Sequence, residues 1–257
     1  MNDGFKISII TVVYNGVEFL EETIKSVISQ TYKNTEYIII DGGSTDGTVD
    51  IIKKYEDKIT YWISEPDKGI YDAMNKGIKR ATGDIVGILN SDDFYASNDV
   101  LKTIAGEFTN KEIDCLYGDL DFVEQSDASK VTKCVKSKPY KGGIFTKNWS
   151  LSDSIFYAPP HPTFFVKRVM YKKYGLFNIN LSIAADYELM LRFLEKHKLK
   201  SSYVNKVLVK MRQGGISDQN IIQAKIQSYK SLRMNGLSAP LFFVLWPLSK
   251  IVRFLKK

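Results

Sequence analysis

Ile85 to Leu89 form an apolar run of strand length that stops abruptly at Asn90-Ser91-Asp92-Asp93. A strand that is apolar along its whole length is buried on both faces, as the strands of parallel sheets are. In an open parallel sheet, ligands bind in the crevice outside the carboxyl ends of the strands, which is where these two carboxylates fall. Adjacent carboxylates repel unless a cation or solvent intervenes. Oxygen ligands from Asp and Asn suit magnesium or manganese, and those ions suit a diphosphate. Asn-Ser-Asp-Asp is also ordinary turn chemistry, and these four residues alone do not separate the two readings.

The preceding chain repeats the same design. Lys6 to Asn15 is a β-branched run closed by Asn-Gly, and Glu18 to Gln30 carries Phe19-Leu20, Thr23-Ile24 and Val27-Ile28 at helical spacing. Glu36 to Ile40 is a second buried strand ending in Asp41-Gly42-Gly43-Ser44-Thr45-Asp46-Gly47-Thr48. A helix from about Val49 to Glu56, a strand around Ile59 to Ser64, the loop Glu65 to Gly69 and a helix from about Ile70 to Ala81 follow. This alternation predicts an α/β chain with a doubly wound, mostly parallel central sheet and helices on both faces. Because parallel strands share a direction, Thr11, Tyr14, Asp41 and Asp92 are expected to face one crevice. Asp41, followed by two glycines, can accept hydrogen bonds from a base imide or ribose hydroxyls, or can cap the next helix. Asp46 reads as loop closure. The chain has neither Gly-Lys-Ser/Thr nor Gly-x-Gly-x-x-Gly in these turns, so phosphate is expected to be held through a metal.

The net charge of +7 on 257 residues resembles a nucleic-acid signal until it is located. From Lys198 to Lys257 there are 12 Lys or Arg against one acid, Asp218, which leaves about −4 on the first 197 residues. A basic tail on a mildly acidic body argues against a nucleic-acid partner and for an anionic surface. Cys115 and Cys134 match no metal spacing and read as reduced thiols. The first residues enter a strand without a signal-peptide pattern, and a cytoplasmic location is expected.

Thr11-Val12-Val13-Tyr14-Asn15, the Asp41 to Thr48 block, Asp67-Lys68-Gly69 with Asn75-Lys76-Gly77, and Asn90-Ser91-Asp92-Asp93 together resemble the inverting glycosyltransferases of family 2, with the GT-A fold. The resemblance implies a nucleotide-diphosphate sugar donor, most often a UDP-sugar, and Mn2+ or Mg2+ as cofactor. It places Asp41 on uracil, with Thr11 and Tyr14 lining the base. The Asp-x-Asp motif falls on Asn90, Ser91 and Asp92, so Asp92 becomes the direct metal ligand and Asp93 supports it or faces the acceptor. Two positions depart from the pattern: Asn90 stands for the first acid, and Gly42 where many members carry Asp. Lys68 reaches the nucleotide or is a solvated loop lysine; Asn75 reads as a packing amide.

Farther on, Asp114 to Val123 alternates like a half-exposed strand, and Glu124 to Pro160 reads as a long irregular segment that shapes an acceptor pocket. Trp149 either stacks on an acceptor sugar or packs, and His161, flanked by prolines, grips acceptor or phosphate or is a core histidine. Asp186 begins a helix with a buried Leu189 and Phe193 face, a position that capping alone explains. The resemblance makes it the catalytic base, although Ala185 replaces the Glu that usually precedes it. Arg212 lies between the strand Tyr203 to Val209 and Gly214-Gly215, in what reads as either a mobile cationic flap over the diphosphate or a plain turn. Pro240 to Lys257 mixes apolar and basic residues as an interfacial helix does, or as a helix docked on protein.

The expected organisation is a catalytic domain over residues 1–215, with a nucleotide-sugar half (1–105) and an acceptor half (106–215), followed by a basic amphipathic C-terminal extension (216–257). The expected activity is transfer of a hexose to a glycan hydroxyl, on a polyprenyl-diphosphate-linked acceptor at the inner face of the cell membrane. Bacterial surface polysaccharide assembly (O-antigen or capsule) fits that setting. A sugar nucleotidyltransferase and an inactive nucleotide-binding membrane scaffold stay open as alternatives.

Overall fold

The computed structural model describes residues 4–140, 158–214 and 220–237. Trp149 and the segment from Pro240 to Lys257 lie outside the described residues. The first half of the chain is a run of strand-helix units: β1 (Ile7–Val13), α1 (Leu20–Ile28), β2 (Thr35–Asp41), α2 (Thr48–Lys54), β3 (Tyr61–Ser64), α3 (Ile70–Arg80) and β4 (Ile85–Ile88). The second half contains β5 (Phe94–Tyr95), α4 (Val100–Asn110), β6 (Cys115–Val123), β7 (Val131–Val135), β8 (Phe165–Lys167), α5 (Arg168–Tyr174), α6 (Ala185–Leu191), β9 (Ser201–Arg212) and α7 (Ile221–Met234).

All these strands join one nine-stranded sheet in the order β3-β2-β1-β4-β8-β6-β9-β5, with β7 added beside β6. β1 pairs in parallel with β2 and β4, and β2 with β3, so the first half is all-parallel as expected. The second half is not: β8 runs antiparallel to both β4 and β6, and β5 antiparallel to β9. Nor is β6 half-exposed: Cys115 to Leu120 and Val123 are buried, and the strand pairs with β9 on one edge and with β8 and β7 on the other. Its buried Asp119 is accommodated by hydrogen bonds from Ser137 N–H and the Tyr203 hydroxyl, whereas Asp121 Oδ1 is buried without a hydrogen-bond partner.

Every residue of β1 is buried, so its β-branched side chains pack on both faces. Ile7, Ile9 and Val13 meet Leu20, Ile24 and Val27 of α1 and Val100, Ile104 and Phe108 of α4 on one side. Ile10 and Val12 meet Tyr71, Met74 and Ile78 of α3 on the other, where Leu189 and Met190 of α6 join the same core. Both faces are covered. α7 closes the second face, with Leu232 packed on Leu191 and Gln227 Oε1 accepting from the N–H groups of Ile183 and Ala184 at 2.9 and 3.2 Å. Part of the expected extension is thus continuous with the body.

The amino-terminal edge of the sheet is stapled by Glu36. Its carboxylate, buried at the start of β2, accepts from Ser8 Oγ (2.5 Å), Thr82 Oγ1 (2.6 Å), Gly83 N (3.1 Å) and Lys6 Nζ (3.1 Å). Burial pushes its pKa up, but the hydrogen bonds from Ser8, Thr82 and Lys6 outweigh that and bring it from the usual 4.5 down to about 2. A depressed carboxylate contributes stability that is present above pH 4.5 and is lost as pH falls through about 2. Glu36→Gln should therefore flatten stability against pH in that window and cost roughly 1–2 kcal/mol at neutral pH, read from chemical denaturation at several pH values.

Candidate active site

With one edge closed, the opposite edge carries the loops. Register pairs Val13 with Asp41 and Asp41 with Ser64, so β1, β2 and β3 end level with one another. Ile88 pairs with Ile10, and the turn after β4 emerges beside them. The loops that follow these ends contain Tyr14, Gly42-Gly43-Ser44, Asp67-Lys68 and Asn90-Ser91-Asp92-Asp93.

The expectation that Thr11 and Asp41 open onto the crevice meets a different geometry. Thr11 is wholly buried and its hydroxyl takes the Tyr37 OH at 3.1 Å. Asp41 is wholly buried too, and its oxygens accept from Gly43 N (3.1 Å), Ser44 N (2.9 Å), Ser64 Oγ (2.5 Å) and Ser44 Oγ. Both oxygens are spent on folding the loop. Asn15 adopts a left-handed φ of 50° and accepts from Thr45 N at 3.0 Å, and Asp46 closes the same turn by accepting from Val17 N and Thr48 N. Tyr14 is left outside this lacing, 67% exposed. Lys68 is exposed at the start of α3, while Asn75 pairs with both backbone groups of Phe177 at 2.9 Å, the packing role its amide suggested.

The 90–93 turn is built around buried charge. Thr23 of α1 holds it through the carbonyls of Ser91 and Asp93, and Asn90 Nδ2 donates to Asp93 Oδ2 at 3.2 Å. Burial pushes the pKa of Asp92 up; burial and then the charge of Asp92 push that of Asp93 well up. Arg212, arriving at the end of β9 because β5 pairs with that strand, donates to the Asp92 carbonyl at 2.6 Å and pairs with Glu22. Its guanidinium lies 4.5 Å from the Phe19 ring and 5.1 Å from the Phe94 ring, an arrangement that fixes it in place. Arg212 is buried, so the mobile-flap reading does not hold for this residue; residues 215–219 are outside the described residues.

Asn90 Oδ1, Asp93 Oδ1 and Arg212 Nε are buried and have no hydrogen-bond partner. Orphaned oxygens beside Asp92 fit a hard divalent cation, which takes oxygen donors and completes its shell from water and phosphate. Among the described residues, no three His, Cys, Asp or Glu side chains assemble into a metal cage. A magnesium or manganese ion here would share its coordination with a bound phosphate group.

Asp186 sits in the first turn of α6, half-buried, with Oδ1 accepting from Tyr187 N at 2.8 Å and from Tyr71 OH at 3.0 Å. The Tyr71 hydroxyl also lies 2.7 Å from the Ile183 carbonyl. Burial, then the Asp186 charge, push the Tyr71 pKa up and keep it a donor. No sequence spacing signalled this contact, which crosses 115 positions. His161 is buried, its ring edge-on to Phe177 at 5.5 Å, while Phe177 stacks on Tyr71 at 5.5 Å. Burial lowers the His161 pKa against the opposing charge of Asp186, which keeps the imidazole neutral.

A family model described as glycosyl transferase family 2 matches residues 8–170. The chain belongs to glycosyltransferase family 2. Relatives within it include an uncharacterized glycosyltransferase of Rickettsia typhi, 31% identical over 229 residues that span 88% of this chain and 70% of that one. A PGL/p-HBAD biosynthesis glycosyltransferase of Mycobacterium bovis is 27% identical over 82% of this chain and 78% of its own. Among solved structures, S. aureus TarS 1-349 in complex with UDP-GlcNAc superposes with a TM-score of 0.66 at 20% identity. That match covers 90% of this chain and 65% of TarS 1-349, so the chain spans less than two thirds of it. The mannosyltransferase PcManGT of Pyrobaculum calidifontis, in complex with GDP-Man and Mn2+, gives 0.66 at 16% identity over 96% of this chain and 69% of its own. These likenesses establish the GT-A fold.

Asp41→Ala should strip four donors of their acceptor and destabilise the ligand-free protein by about 2–4 kcal/mol, measured by urea denaturation without nucleotide.

Proposed function

We propose that this chain transfers a hexose from a nucleotide-diphosphate sugar, with a UDP-sugar as the favoured donor, to a hydroxyl of a glycan acceptor with inversion. The observation that carries the reading is the carboxylate of Asp186, anchored through Oδ1 by Tyr71 and its own helix while Oδ2 takes no hydrogen bond within the described residues. A fixed carboxylate with one free oxygen is what an inverting displacement needs as its base. Asp186 accepts the proton of the acceptor hydroxyl as that oxygen bonds to the anomeric carbon and the bond from that carbon to the diphosphate breaks. Tyr71 holds the carboxylate in aim throughout. Asp92, with Asn90 and Asp93 beside it, would hold Mg2+ or Mn2+, which supplies charge neutralisation at the diphosphate leaving group. Arg212, locked against the Asp92 carbonyl, keeps that turn in register.

The acceptor we propose is lipid-diphosphate-linked, met at a membrane surface by the basic C-terminal extension, in assembly of a bacterial surface glycan. The charge concentrated after Lys198 supports that setting. So does the biosynthetic role in the name of the mycobacterial relative. No helix among the described residues is long and apolar enough to cross a membrane.

Asp186→Asn should lower kcat by about 10²–10⁴-fold with donor binding unchanged, measured as sugar release from UDP-sugars with and without acceptor. Asp92→Ala should abolish the Mn2+-dependent part of UDP binding in calorimetry. Near-normal turnover in Asp186→Asn removes it from the base role.

A further inference from the structure

Tyr71 and Asn75 lie one turn apart on the buried face of α3, and together they hold the segment that leads into Asp186. Asn75 pairs with both backbone groups of Phe177 at 2.9 Å, and the Phe177 ring stacks on the Tyr71 ring at 5.5 Å. That fixes the Tyr71 ring, and its hydroxyl stands between two oxygens, the Ile183 carbonyl at 2.7 Å and Asp186 Oδ1 at 3.0 Å. Both oxygens are tied down. Gln227 Oε1 accepts from the N–H groups of Ile183 and Ala184 and Gln227 Nε2 donates to Ser182, while Asp186 Oδ1 also accepts from Tyr187 N. A phenol has one O–H proton, whereas a carbonyl and an ionised carboxylate only accept. One hydrogen thus serves two acceptors, and the charge on Asp186 decides which of them receives it. A hydrogen bond to a charged acceptor is roughly twice as strong as one to a neutral acceptor, so the ionised carboxylate takes it. A neutral Asp186 loses that advantage, and the shorter approach to the Ile183 carbonyl wins.

We propose that Tyr71 is a positioning residue with two settings: its hydroxyl proton goes to Asp186 while that carboxylate is ionised, and to the Ile183 carbonyl once Oδ2 has taken the proton of the acceptor. The proposal rests on the reading of Asp186 as the base. In the transfer, the acceptor O–H bond breaks and its proton passes to Oδ2. The acceptor oxygen bonds to the anomeric carbon, and the diphosphate leaves with the electron pair of the broken bond. Tyr71 neither gains nor loses a proton; its hydroxyl turns about its own C–O bond. A buried donor whose sole partner was the carboxylate would favour the ionised form and be left unpaired when Asp186 is neutralised, which opposes proton uptake. The Ile183 carbonyl gives that donor a second partner. Tyr71 thereby aims the base at a smaller cost to its basicity.

NMR of the ligand-free full chain, labelled at the carbonyl carbon of isoleucine and the nitrogen of alanine, tests the two settings. It reads the two Ile-Ala peptides of the chain, Ile183-Ala184 and Ile104-Ala105. Asp186→Asn, a neutral stand-in for the protonated acid, should move the Ile183 carbonyl signal downfield as Tyr71 turns to it, with Ile104 unmoved. In a Tyr71→Phe background the same change should leave the Ile183 signal in place, which separates the hydroxyl from a local effect of the amide. Turnover of UDP-sugars and calorimetry with UDP in Mn2+ test the positioning. Tyr71→Phe keeps the ring on Phe177 and should lower kcat about tenfold or more, with KM and UDP affinity within roughly twofold of wild type. It should cost nothing further once Asp186→Asn is present. An Ile183 signal that does not move in Asp186→Asn, or moves equally without the Tyr71 hydroxyl, overturns the two settings. Wild-type kcat in Tyr71→Phe overturns the positioning role. Both of those outcomes leave the base reading standing. Near-normal turnover in Asp186→Asn removes the base, and this inference falls with it.

Discussion

Parallel pairing of β1 with β2 on one side and β4 on the other sends three chain exits to one edge of the sheet and three entries to the other. The entries are locked by one buried carboxylate, Glu36, which gathers donors from β1 and from the loop before β4. Locking that edge leaves the exits free to carry polar loops whose backbone groups bond to one another rather than to the sheet. Hydrogen-bond demand decides the division of labour among the acids there. Asp41 and Asp46 are consumed by loop donors, whereas Asp67, Asp92 and Asp186 each keep carboxylate capacity uncommitted within the described residues.

The turn at residues 90–93 brings two acids and one guanidinium together. Asp92 and Asp93 are adjacent and their burial disfavours ionisation, yet Arg212 stands at the same turn, oriented by two aromatic rings and Glu22. Its guanidinium binds the backbone of Asp92, so its charge is near the acids without being spent in a direct ion pair with either. An arrangement of this kind lowers the repulsion between the carboxylates while leaving oxygens unpartnered for an incoming cation.

The sequence disclosed the parallel half well because periodicity is strong there: buried strands end in Asn15, Asp41 and Asn90, each next to a polar turn. It disclosed the second half poorly. Two-residue β5 and three-residue β8 are too short to leave a period, and Phe165 and Phe94 could as well have been packing residues in loops. The placement of Asp186 and Asp92 at the ends of elements was legible in the sequence. Tyr71 was not, because its contact with Asp186 is made by folding across the sheet face. An acid before two glycines, as Asp41 is, reads equally as gripping a ligand or folding its own loop, and the loop-folding bonds are what the structure adds. The positions of Ser44 and Ser64, which supply donors to Asp41, were not legible in the sequence.

α7 has a consequence for how the protein can be divided. The family match ends at residue 170, and composition alone drew the border of the catalytic body near 215. Yet Gln227 holds the two N–H groups immediately before α6, and Asn235 Nδ2 donates to Glu188 one turn into it. A chain shortened at 215 would keep the loops that follow β1 to β4 and free the helix that carries Asp186 to tilt. The shape of those loops and the aim of the Asp186 carboxylate are therefore separable properties, carried by different stretches of the polypeptide. Any pull on the end of α7 would be felt first at the second.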